Sequence, residues 1–89
     1  MTIRELEEIL KRENVWPHDY SLYEGDPAGA EMVYYIRGSG NSFRIFITER
    51  NKLIESKNAK SEEEACNTFL KLLIEGNPRQ NERLNKYIT

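Results

Sequence analysis

The sequence predicts an α+β domain: an N-terminal helix, a four-stranded antiparallel meander, and two C-terminal helices packed on one face of the sheet. Two observations carry this. Thr2-x-x-Glu5 and Ser61-x-x-Glu64 are capping boxes, each standing directly ahead of apolar residues at helical spacing. Between them runs a β-branched and aromatic stretch, Glu31 to Arg37 and Ser42 to Arg50, broken by a Gly-Ser-Gly-Asn corner. With 89 residues and 38% hydrophobic content, the chain has material for one core and a single domain spanning residues 1–89.

In the first helix Ile3, Leu6, Ile9 and Leu10 share one face, and the pattern stops near Glu13 or Asn14. Pro17 disfavours helical geometry at Trp16, so the chain passes into a short extended segment, Tyr20 to Tyr23, and a turn from Gly25 to Gly29. A two-residue hairpin loop at Ser39-Gly40 pairs Ile36 with Phe43, Tyr34 with Ile45 and Met32 with Ile47 on an inward face. The outward face then carries Tyr35 opposite Arg44 and Val33 opposite Phe46. Arg50-Asn51 turns the chain into a fourth strand, Lys52 to Glu55, with Ile54 beside Ile47, and Ser56 to Lys60 crosses to the second capped helix. There Ala65, Cys66, Phe69, Leu70, Leu72 and Leu73 form the apolar stripe, Gly76 suits a C-terminal cap, and Pro78 restarts a short helix to about Tyr87.

Few function classes find support in the residue types. The net charge of -2 gives no basic footprint for nucleic acid. His18 and Cys66 are the single histidine and cysteine, too few for a zinc site or a nucleophile–base pair, so no catalytic, metal or cofactor residues are expected and the chain is read as a non-enzyme. Cys66, on an apolar helix face, reads as a buried thiol. Glu7-Glu8 and Glu62 to Glu64 fall on solvated helix faces, and the glycine corner is a strand turn lacking the helix and Gly-Lys of a phosphate loop. Trp16 reads as a plug at the edge of the core, or else as an interface anchor. The charged opening segment and the want of a long apolar run imply a cytosolic protein with no membrane contact.

Two family resemblances bear on function. The order helix, strands, helix is similar to the double-stranded RNA-binding domain, but Glu62, Glu63 and Glu64 stand where that family presents lysines to phosphates. The chain more closely resembles small immunity proteins of bacterial polymorphic-toxin and contact-dependent growth inhibition systems. The likeness runs through an acidic first helix, Asp19-Tyr-Ser-Leu22, the turn Ile47-Thr-Glu-Arg-Asn51, and the Ser61-Glu-Glu-Glu-Ala-Cys66 helix with its Phe69-Leu70 and Leu72-Leu73. It departs from that pattern in Phe43-Arg-Ile-Phe-Ile47 and in the extra tail from Pro78 to Thr89. The resemblance implies a protein that binds and neutralises one cognate toxin domain, a nuclease being one candidate, as a monomer or weak homodimer; a double-stranded RNA-binding-like module and a generic interaction adaptor are the alternatives. The acidic residues around Glu24, Asp26 and Glu31 and the mixed outward sheet face together nominate Tyr23, Glu24, Asp26, Tyr35, Arg44 and Phe46 as the partner-binding residues.

Overall fold

A computed structural model describes residues 1–88; Thr89, the last residue of the tail, lies outside the described residues. The fold is α+β: α1 (Ile3–Arg12), β1 (Tyr20–Ser21), β2 (Met32–Ser39), β3 (Ser42–Glu49), β4 (Lys52–Ala59), α2 (Glu62–Gly76) and α3 (Pro78–Asn81), with 3₁₀ turns at Pro17–Asp19 and Glu82–Tyr87. The sheet order is β1-β2-β3-β4, and it is mixed rather than wholly antiparallel because β1 and β2 run parallel. Gly29 and Ala30 both donate backbone N–H bonds to the His18 carbonyl, at 3.2 and 3.1 Å. They return the loop to a carbonyl two residues before β1, so β2 starts from the same end as β1.

Both hairpins are set by residues at positive φ. Glycine stands first in a Gly40-Asn41 loop at φ +63°, with Ser39 paired to Ser42. The loop expected at Ser39-Gly40 would have forced serine into that left-handed position, which glycine adopts without steric cost. The turn therefore sits one residue later, and each cross-strand partner moves by two: Tyr34 meets Ile47, Ile36 meets Ile45 and Tyr35 meets Phe46. A two-residue shift keeps every side chain on its face. Arg50 and Asn51, at +52° and +67°, turn β3 into β4.

β4 is longer than its predicted four residues and runs through the segment expected to be a crossover. Only Ala59 in it is buried, because an edge strand can be polar on both faces while β3 supplies its hydrogen-bond ladder. A bulge between Ile47 and Thr48 places Glu55 opposite Ile47 and Leu53 opposite Thr48, leaving Ile54 unpaired and half exposed, not beside Ile47.

The core lies between the inner sheet face and the helices. Tyr34, Ile36, Phe43, Ile45 and Ile47 pack with Leu6, Ile9 and Leu10 of α1 and with Phe69, Leu70, Leu72 and Leu73 of α2. Each large side chain buried there contributes about 1.5–3 kcal/mol of transfer free energy. The Thr2 box is complete: the hydroxyl accepts from Glu5 N and the Glu5 carboxylate from Thr2 N. At α2 Ser61 accepts from Glu64 N as expected, but Glu64 accepts from Lys60 N, one residue earlier than a closed box requires. Glu62 is not merely solvated; it accepts from Ile3 N at 2.8 Å and ties the two helix starts together. Helix α1 ends with Asn14 in the left-handed region, where Asn14 N donates to Lys11 O and Val15 N to Leu10 O, the paired bonds of a Schellman motif.

Gly76 does not cap α2 from outside; it is the last helical residue, and Asn77 is the cap. A Cβ at Gly76 would fall 1.9 Å from the Tyr34 hydroxyl, so glycine there makes room for the tyrosine. Past it, Asn81 Nδ2 caps the α2 carbonyl of Leu73 and Leu84 is fully buried. The tail also clasps the end of α1. Tyr87 donates to Glu13 Oε2 at 2.6 Å, Lys86 pairs with the same oxygen, and Arg83 binds both the Glu13 carboxylate and its carbonyl.

Candidate protein-binding face

Alternation along β2 and β3 sends Val33, Tyr35, Arg37, Arg44, Phe46 and Thr48 to the sheet face opposite the helices. Tyr35 and Phe46, directly opposite each other, stack with ring centroids 4.6 Å apart and planes 8° from parallel. The Arg37 guanidinium lies 5.5 Å from the Tyr35 ring centroid and that of Arg44 lies 4.7 Å from Phe46, both within cation–π range.

The two arginines are drawn to opposite sides. Arg37 donates to Ser21 O at 2.9 Å and to the buried Ser21 hydroxyl at 2.6 Å, both on β1, and to Tyr23 O just beyond. Arg44 Nε donates to Ser56 of β4 at 2.9 Å. With the strands in the order β1-β2-β3-β4, the four side chains form a layered row, Arg37, Tyr35, Phe46, Arg44, across the sheet. Each ring has its partner ring on one side and a guanidinium on the other. The row offers outward ring edges, the positive rim of the aromatic quadrupole, and guanidinium N–H groups. Among the described residues neither arginine is paired with a carboxylate. A base would need an open ring face to stack on, and here both faces of each ring are occupied.

Of the six residues nominated from sequence, Tyr35, Arg44 and Phe46 come together in this row. Tyr23, Glu24 and Asp26 form a separate group on the loop after β1, joined to the row through Arg37 and the Tyr23 carbonyl. Tyr23 is 42% exposed; partial burial and then the nearby Glu7 carboxylate push its phenol up, with Asp26 and Glu62 adding and Arg4 opposing, which places its ring on the α1 side. Asp26 is occupied structurally, its Oδ2 accepting from Leu22 N and Tyr23 N at 2.9 and 3.0 Å. Glu24 is exposed. Arg37 and Ser56 are the members that sequence reasoning missed; Arg37 stood two residues from Tyr35 on the same strand face, and that period was the available signal. No family model matches the chain, and no curated protein or solved structure matches it.

The remaining singular residues lie elsewhere. Cys66 is fully buried, and burial pushes its thiol up to about 11. His18 packs its ring against Trp16 at 4.9 Å. Trp16 is not a core plug: it is 56% exposed. Among the described residues no group of three or more His, Cys, Asp or Glu side chains converges where a metal ion could sit.

Proposed function

We propose that this chain is a protein-binding inhibitor of the immunity-protein kind, which neutralises a cognate toxin domain through the outer face of its β2–β3 hairpin. The observation that carries the reading is the ordered Arg37–Tyr35–Phe46–Arg44 row on the sheet face opposite the helices, with Arg44 exposed and Tyr35, Arg37 and Phe46 half-buried. Tyrosine and arginine are enriched among residues that dominate binding energy, and side chains already held by Ser21 and Ser56 lose little freedom when a partner docks. The adjoining loop adds the exposed carboxylate of Glu24, an acidic margin beside the arginine-aromatic centre. Such a margin suits a toxin whose substrate cleft is ringed by basic residues, as in a nuclease.

Co-expression with a candidate toxin domain, drawn from whatever secreted protein is encoded beside this chain, tests the reading. Host survival together with co-purification of the two proteins is the expected result. Death of the cells at full expression of this protein would overturn the inhibitor reading.

A further inference from the structure

On the helix side of the sheet, away from the arginine-aromatic row, a cleft of about 160 Å³ lies between the Pro17–Asp19 turn, the start of β2 and the junction of α2 with α3. Its walls include Trp16, Asp19, Tyr34, Gly76, Asn77 and Gln80. Two features of different origin suit it to a cation. The Asp19 carboxylate accepts no hydrogen bond and forms no ion pair among the described residues, and burial pushes its carboxyl up against the opposing effect of His18. The exposed ring of Trp16 supplies an aromatic wall at the mouth, which favours a cation over an anion.

We infer that this cleft is a receptor for one basic side chain, lysine or arginine, presented by a protein or peptide partner. The ammonium or guanidinium group meets the Asp19 carboxylate, while the aliphatic stem lies along Trp16. Ligand pockets for larger molecules run to about 300–1,000 Å³. The smaller volume here suits a single side chain. Half-exposed Trp16 at the mouth then has a role that core packing does not give it. The site lies on the other layer from the hairpin face, so it stands or falls independently of toxin binding there.

An NMR titration of the full chain with N-acetyl-lysine methylamide, run beside the uncharged norleucine analogue, tests the inference. The lysine amide is expected to shift the Trp16 indole and the Asn77 and Gln80 side-chain signals saturably, and the norleucine amide to leave them in place. Asp19→Asn should weaken lysine binding by about tenfold or more, the usual weight of a hydrogen bond to a charged group. Trp16→Ala, at an exposed position that the fold does not need, should weaken it as well. Absence of a saturable lysine shift, an equal response to norleucine, or unchanged binding in both variants would overturn the inference.

Discussion

Tyr34 and Tyr35 are chain neighbours on β2 that meet opposite surroundings, and the contrast separates what holds this molecule together from what it can offer a partner. Tyr34 turns inward, edge-on to Phe69, and its hydroxyl fits against Gly76 at the end of α2. Burial, aided by Asp19 and Glu55, pushes its phenol up. Tyr35 turns outward into a row fixed by hydrogen bonds to both flanking strands. The inner face is close-packed, so changes there should cost stability. The outer face keeps its row ordered and only partly buried, so changes there should cost binding.

The largest expected effect is on the inner face. Phe69→Ala removes a fully buried ring of α2 that packs edge-on against Tyr34 of the sheet, and should lower unfolding free energy by about 3–5 kcal/mol in a urea titration. Gly76→Ala comes next. Its new Cβ must displace the Tyr34 hydroxyl, an overpacking cost of about 1–3 kcal/mol. Removing that hydroxyl should relieve part of the clash, so the Tyr34→Phe/Gly76→Ala double variant should be more stable than the two single losses summed, as a double-mutant cycle would report.

The Glu13 clasp should have a smaller effect, and one that depends on pH. The Tyr87 hydroxyl, then Lys86 and Arg83, hold the Glu13 carboxyl below its ordinary value of 4.5 despite some opposing desolvation. A carboxylate whose folded pKa is depressed adds stability that is fully present above the unfolded value and fades as pH falls through the folded one. The gap in urea midpoint between the native chain and Glu13→Gln should therefore be steady above about pH 5 and close below pH 4.5.

Much of this contrast is legible in the sequence, because alternation along a strand depends only on parity. Tyr34, Ile36, Phe43 and Ile45 can be assigned inward even with the hairpin loop placed one residue early, since that error moves partners by two and preserves faces. What escapes the sequence depends on distant partners. The polar residues Ser56 to Asn58 become strand only because β3 templates them. The parallel pairing of β1 follows from backbone bonds to the His18 carbonyl, which no local pattern announces. Glu62 looks like a solvated charge until α1 brings Ile3 N to it. Arg37 resembles an ordinary strand-end charge, but β1 is only two residues long and its next carbonyls need a donor. The loop group was half legible: Glu24 is exposed as a contact residue would be, whereas Asp26 is committed to holding its own turn.

The smallest expected effect on stability belongs to the stacked pair, and it gives the most direct test of the outer face. Tyr35→Ala with Phe46→Ala should cost about 1 kcal/mol in unfolding free energy, the scale of a cross-strand pair. Titration calorimetry of this double variant against the co-expressed toxin domain, beside the native chain, should show affinity reduced by about a hundredfold or more, as loss of central interface residues does. Native affinity in a folded double variant would contradict the account, because the ordered row on the outer sheet face would then lie outside the surface that binds.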